Sequence, residues 1–335
     1  MPPQLAHDIS SIGLKALTFL SQQKNLISWN CAIFKNKNNK NIIFSNPLGI
    51  AGGVDKDGLN ILDWQNLNCG FIEIGTVTLI PQAANSGKII DRDLKTKSLW
   101  NKMGFPSKGS DLVYENVLKV KKLNKLNVPL FINIGKNRTT SNENAFTDYN
   151  NLMTKFENLA DAFVVNISSP NTQGLGNLTQ PEYLNLFLKS ICDHHSKLTN
   201  QPLLFIKLGP DMLETDFEQS LHTALDYNID GFVLTNTTRT RTITPFYPDL
   251  EGGVSGWPLQ KLSLSALRLA KKTCETRKMK KIIISVGGVM TADDVFERIE
   301  AGADLIQVYT TLVFEGPLFF RKVAAIALQN FKHDN

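Results

Sequence analysis

Eight short apolar runs recur along this chain, and nearly every one ends in a polar or glycine-rich stretch. They are LGIAGG (48–53), GFIEIGT (70–76), LFINIG (130–135), AFVVNIS (162–168), LLFIKLG (203–209), GFVLTNT (231–237), IIISVGG (282–288) and LIQVYT (305–310). Runs this short with apolar residues at both parities suit strands buried on both faces. Between them Ser110 to Lys122, Tyr149 to Leu159, Pro181 to His194, Asp211 to Tyr227, Leu259 to Thr276 and Thr291 to Ala301 carry helical spacing or helix-forming composition. Such alternation implies parallel strands joined by crossover helices. The polar residues follow almost every run instead of gathering at one switch point. A closed (β/α)8 TIM barrel is therefore expected over an open doubly wound sheet.

Composition agrees with one large barrel and an amino-terminal extension. The chain has 335 residues, 42% of them hydrophobic, enough to bury a sizeable core. Its formal charge of +5 suits an anionic cofactor and substrate or an acidic membrane surface, whereas dispersed Lys and Arg give no nucleic-acid signature. Cys31, Cys69, Cys192 and Cys274 are widely spaced without a CxxC pair, so no metal site is expected and the thiols read as reduced, structural residues of a cytosolic protein. No cleavable signal and no run long enough to span a bilayer is found. The domains are read as a helical extension over 1–40 and a catalytic barrel over 41–335.

The chemistry concentrates after the runs. NISSPNTQG, Asn166 to Gly174, places hydroxyls and amides where a barrel strand would end, and reads either as a catalytic loop or as an Asx or Ser/Pro turn. Lys207 closes LLFIK. An ammonium pointing inward there needs an anionic partner, unless it snorkels to the strand end. Lys56 lies in AGGVDKDG, where small residues admit a flat ligand and Asp55 can orient the lysine; a charged turn is the plain alternative. Gly287 and Gly288 after the seventh run, then Tyr309 and Thr310 after the eighth, occupy the position in which barrels commonly bind phosphate.

AGGVDKDG, EIGTVT, NKMGF, INIGKN, NISSPNTQG, TNTT, GGVSG, VGGV and QVYT, in this order and spacing, closely resemble the flavin-dependent dihydroorotate dehydrogenases, specifically the quinone-linked class (class 2). The resemblance runs from about residue 40 to the end. It implies oxidation of (S)-dihydroorotate to orotate in pyrimidine biosynthesis, with FMN across the barrel mouth. It places Gly52, Gly53, Val54, Asp55, Lys56, Thr76, Asn133, Asn166, Lys207 and Thr235 around the flavin, and Gly256, Gly288, Tyr309 and Thr310 at its phosphate. Substrate falls to Lys56, to the loop Asn101, Lys102, Met103, Gly104 and Phe105, and to Asn166, Asn171, Asn236 and Thr237. Asparagines suit orotate, because each offers one donor and one acceptor edge without adding charge.

The resemblance makes Ser169 the catalytic base, with Thr172 a candidate for the proton relay. A serine hydroxyl is a poor base on its own, so nearby lysines and hydrogen bonds must stabilise its developing alkoxide character. Serine instead of cysteine at 169 separates the quinone-linked class from the soluble fumarate- or NAD-linked relatives. Leu5, Ile9, Ile12, Ala16, Phe19 and Leu20 recur at near-helical spacing, with Lys15 and Lys24 available to anionic lipid headgroups. In the family such an extension docks on the membrane and shapes a quinone tunnel; in a bacterium it would lie on the cytoplasmic face of the inner membrane. The same stripe also suits a helix packed on its own barrel. His7 reads either as a residue near the quinone path or as a capping residue. PPQLAHDIS matches a family motif that relatives usually precede with further apolar and basic residues, so weak membrane affinity is expected.

Milder departures from the family pattern are Lys102 where arginine is frequent, Leu79 where proline is frequent and Asp91 where an aromatic is common. Two rival readings remain. A phosphate-binding aldolase or isomerase would use Lys207 but needs no asparagine-rich pocket. A non-enzymatic membrane-surface module leaves the polar strand ends unexplained.

Overall fold

The computed structural model describes residues 13–18, 26–171, 181–241, 247 and 251–333. All eight apolar runs are strands of one closed parallel barrel. In chain order they are β3 (Leu48–Asp55), β4 (Ile72–Val77), β7 (Leu130–Ile134), β8 (Ala162–Asn166), β9 (Leu203–Leu208), β10 (Gly231–Leu234), β12 (Ile282–Val286) and β13 (Leu305–Val308), with β13 closing on β3. A helix follows each strand in turn: α1 (Ile61–Asn66), α2 (Ser110–Lys122), α3 (Ala145–Phe156), α4 (Pro181–His195), α5 (Glu214–Leu225), α6 (Gln260–Thr276), α7 (Ala292–Glu300) and α8 (Thr310–Phe314), before α9 (Phe319–His333) ends the described chain. The expected helix over Ser110 to Lys122 is found with the same bounds. Thr291, expected inside a helix, is instead the N-cap of α7, its hydroxyl accepting from Asp294 N at 3.1 Å while the Asp294 carboxylate accepts from Thr291 N at 2.8 Å.

Side chains alternate across each strand, and this alternation positions the site. One parity faces the helices: Ile132, Ile134, Phe163, Val165, Leu204 and Ile206 belong to the large outer core. The other parity fills the barrel, with Phe71, Phe131, Val164, Phe205, Val233 and Leu305 in a separate inner cluster. Two residues beyond these inner apolar side chains stand Glu73, Asn133, Asn166, Lys207, Thr235 and Gln307, all buried. The inner wall thus changes from apolar at the strand amino ends to polar at the carboxyl ends.

Two small sheets, neither expected from the sequence, close the barrel. The antiparallel pair β1 (Ala32–Lys35) and β2 (Asn41–Phe44) lies at the amino ends of the strands. Its Phe44 packs edge-on against Phe71 and Phe131, with ring centroids 5.7 and 6.0 Å apart, and Phe131 stacks on Phe205 at 5.5 Å. The expected boundary at residue 40 falls in the turn of this hairpin, and residues 32–35 form a strand instead of part of a helical extension. The second sheet, in the order β11 (Gly253–Gly256), β6 (Ser98–Asn101), β5 (Ile90–Asp93), carries the loop that begins at Asn101.

Residues 13–18 are helical, with Leu14 buried in the outer core and Leu17 packed against it, while Ala16 and Lys15 are exposed. Thr18 Oγ1 donates to Asp63 Oδ1 of α1 at 2.7 Å. Leu5, His7, Ile9, Ile12, Phe19, Leu20 and Lys24 lie outside the described residues, as do Thr172 and Gly174. Among the described residues no helix is long and apolar enough to cross a membrane.

Candidate active site

A cavity opens at the carboxyl ends of the strands and gathers most of the residues singled out from the sequence. Gly52, Gly53, Lys56, Thr76, Asn166, Lys207, Thr235, Gly256, Gly288, Tyr309 and Thr310 line it, together with Asn101, Met103, Gly104, Phe105, Ser169, Asn171, Asn236 and Thr237. They come from seven of the eight barrel strands or the loops after them, all but β7, so the cavity exists only once the barrel has closed.

Four expected residues do not line it. Val54 has the outward parity and packs against the outer core. Asp55, expected to orient Lys56, accepts from Leu59 N and Asn60 N at 2.9 Å each, so its carboxylate folds the loop between β3 and α1. Burial pushes that carboxyl up to about 6, with Asp57 adding a like charge. Lys102 pairs with Glu251 at the rim. Asn133 lies behind the wall and donates from Nδ2 to Glu73 Oε1 at 2.6 Å.

Glu73 is the residue that the sequence reading missed. Fully buried, it accepts at Oε1 from Gly52 N at 3.1 Å as well as from Asn133, and Lys207 Nζ lies 3.4 Å from the same oxygen. Its Oε2 accepts from Gln307 Nε2. Glu73 is therefore the anionic partner that an inward Lys207 requires. The signal was present in GFIEIGT, where a carboxylate interrupts an apolar run at the same parity as Phe71. Arg298 was also missed. Fully buried on α7, it donates to Ser285 Oγ at 3.1 Å, Ser263 Oγ at 3.0 Å, Gln260 O at 2.9 Å and Gly287 O at 3.2 Å. It thereby ties the Gly287–Gly288 turn to the start of α6.

Amides continue the polar wall. Asn166 Nδ2 donates to Asn133 Oδ1 at 3.4 Å and to Thr76 Oγ1 at 3.3 Å, and Asn166 Oδ1 accepts from Asn236 Nδ2 at 3.3 Å. Tyr149 of α3 anchors the strand end by donating to Asn166 O at 2.8 Å. Ser169 is buried beside these amides, and its Oγ accepts from Asn171 N at 3.3 Å.

The residues present suit a flat, polar ligand with an anionic tail. Asn171 Oδ1, Thr237 Oγ1 and Gln307 Oε1 are buried without a hydrogen-bond partner among the described residues, and all three residues line the cavity. Buried polar atoms left in this way are completed by ligand or water. Glycine is required at the tail end: Gly256, Gly287 and Gly288 have φ of 90°, 116° and 68°. A Cβ at Gly288 would also press into the Gln260 backbone, and one at Gly53 would meet the Tyr309 ring at 3.3 Å. Ser255 and Thr310 hydroxyls, 2.7 Å apart, stand beside the Gly256 turn. Concave, amide-walled and set at the strand ends, the site is that of a barrel enzyme built to grip a cofactor and a small polar substrate together.

Comparison with known proteins names the family. The profile described as dihydroorotate dehydrogenase matches residues 35–329. A protein named dihydroorotate dehydrogenase (quinone) from Sulfurovum sp. (strain NBC37-1) is 36% identical, over 99% of this chain and 91% of its own length. One of the same name from Anaeromyxobacter sp. (strain Fw109-5) is 37% identical, over 84% of this chain and 77% of its own. The crystal structure of ligand-free DHODH from Eimeria tenella superposes with a TM-score of 0.88 at 30% identity, covering 99% of this chain and 96% of that one. The chain belongs to the dihydroorotate dehydrogenase family.

Proposed function

We propose that this protein oxidises (S)-dihydroorotate to orotate in pyrimidine biosynthesis, using FMN and a membrane quinone. The observation that carries the reading is the placement of Ser169 in one cavity with Lys56, Lys207, the amide wall and the glycine turns.

Ser169 removes the proton from C5 of the substrate. Its hydroxyl already accepts from Asn171 N, and the cationic Lys56 and Lys207 of the same cavity favour negative charge developing there. FMN, when bound, would supply the acceptor for the hydrogen that leaves C6 with its electron pair, Lys207 would help to hold it, and a quinone would take those electrons onward. Gly52, Gly53, Thr76, Asn166 and Thr235 would hold the flavin, with Gly256, Gly288, Tyr309 and Thr310 at its phosphate. Asn101 to Phe105, Asn166, Asn171, Asn236, Thr237 and Lys56 would read the pyrimidine edge, where Asn171 Oδ1 and Thr237 Oγ1 await partners. Val54, Asp55, Asn133 and Lys102 act from outside the cavity in this reading.

Quinone is favoured over fumarate or NAD because the base is serine and because both bacterial relatives carry quinone in their names. The amino-terminal segment is assigned to peripheral membrane contact, on the cytoplasmic face of the inner membrane in a bacterium. Leu14 and Leu17 hold this segment to the barrel while Ala16, on the amphipathic stripe, faces outward.

The test is anaerobic. Dihydroorotate should bleach the yellow protein, and a soluble quinone analogue, unlike fumarate or NAD, should restore the colour rapidly. A colourless protein sinks the flavin reading. Bleaching without a preference for quinone removes the acceptor assignment and keeps the pyrimidine chemistry.

A further inference from the structure

Lys207 lines the cavity, but the carboxylate beside it does not. Glu73 sits behind the wall and is an acceptor for four different strands: Gly52 of β3, Asn133 of β7, Lys207 of β9 and Gln307 of β13. A buried carboxylate survives only with such partners. We propose that Glu73 is a positioning residue and buried counter-charge that sets the reduction potential of the flavin by offsetting Lys207. The inference rests on the flavin reading above and goes beyond it.

The effect is electrostatic. A flavin gains negative charge on reduction, and a lone ammonium at the cavity floor would favour that form strongly in so dry a site. Glu73 opposes this. Held 3.4 Å from Lys207 Nζ and unable to reach solvent, it makes the floor nearly neutral and leaves the flavin easier to reoxidise. An enzyme that must hand electrons on gains from that balance. The three neutral donors keep the carboxylate in place, so Lys207 need not be drawn fully away from the cavity.

Glu73→Gln tests the charge with little change of shape. The amide can still accept from Gly52 N and Asn133 Nδ2 through one oxygen. Its new NH2 finds an acceptor if the Gln307 amide turns over, because Gln307 Oε1 has no partner among the described residues. Midpoint potentials are read by dye-coupled equilibrium reduction of the flavin-loaded protein, and folding by thermal melting of each apo-protein. Glu73→Gln should favour the reduced flavin by about tenfold or more, which for a two-electron couple is about 30 mV upward. Glu73→Asp, which keeps the charge, should stay within about threefold of the wild type. The double variant Glu73→Gln/Lys207→Gln buries no charge and should also return to that range, and it reads the coupling even if Glu73→Gln alone fails to fold.

An unmoved or lowered potential in Glu73→Gln overturns the proposal, as does an equal shift in Glu73→Asp. A double variant with its potential lowered tenfold overturns it as well, since Lys207 would then act alone. A folded Glu73→Gln protein that retains no flavin makes Glu73 a binding residue and overturns the tuning role. A wild-type protein without flavin overturns both this inference and the reading beneath it.

Discussion

Asn171 Nδ2 donates to Asn101 Oδ1 at 2.8 Å, tying the loop after β8 to the end of β6. Ser169 stands two residues before this tie, and its Oγ accepts from the same asparagine's backbone N–H at 3.3 Å. The serine is therefore held in place from a sheet that is not part of the barrel. Asn101→Ala should release the loop and raise the KM for dihydroorotate by roughly five- to tenfold, the worth of one hydrogen bond of about 1 kcal/mol. Steady-state kinetics that leave KM unchanged would dissociate β6 from substrate binding.

Ser169→Ala should slow flavin reduction by dihydroorotate by about 10²–10⁴-fold, the usual contribution of a general base, while the protein stays yellow. Anaerobic stopped-flow measures the step directly. An unaltered rate would assign the base elsewhere.

Arg298→Met should destabilise the protein by roughly 3 kcal/mol or more, because it strips donors from Ser285 Oγ, Gln260 O and Gly287 O in a buried site. Burial also pulls the guanidinium down to about 10, still far above neutrality, so the group is charged across the working pH range. Urea unfolding that matches the wild type would mean that the Gly287–Gly288 turn holds itself.

Asp55 gives a pH dependence with a definite sign. Its folded-state value near 6 lies above the ordinary 3.8, so between these values the native protein binds more protons than the unfolded chain. The stability tied to this group is therefore complete below about pH 4 and is lost as pH rises through 6, by about 3 kcal/mol. Unfolding free energies of wild type and Asp55→Asn, compared from pH 4 to 7, should converge by that amount or cross as pH rises. Parallel curves would show an ordinary carboxylate.

Much of the fold is legible along the chain because it is local. Each barrel strand carries its own burial signal on both parities, and α2 carries its own helical spacing, so neither needs knowledge of the rest. Short elements outside the barrel were not legible. β1, β2, β5 and β6 are four residues each and, unlike the equally short β10 and β13, none is buried along its whole length. β6 draws its partner β11 from a segment more than 150 residues away, pairing Trp100 with Val254. The hairpin that spans residue 40 escaped notice for the same reason, since strands of this kind declare themselves only when paired.

The site divides in the same way. Ser169 and Gly287–Gly288 come just after their strands and Lys207 lies near the end of its own, and these residue types at strand ends point to chemistry without any partner in view. Asp55 has a role that its adjacency to Lys56 does not reveal, since its carboxylate accepts from Leu59 N and Asn60 N. The amino-acid sequence by itself determined the barrel, the end at which the polar residues gather and the place of Ser169 just past β8, because these depend on strand period and chain order. Only the tertiary structure decided what holds the floor of the cavity. Glu73 meets Asn133, Lys207 and Gln307 across 60, 134 and 234 residues of chain, and these meetings exist because closing the barrel points the same parity of every strand at one axis.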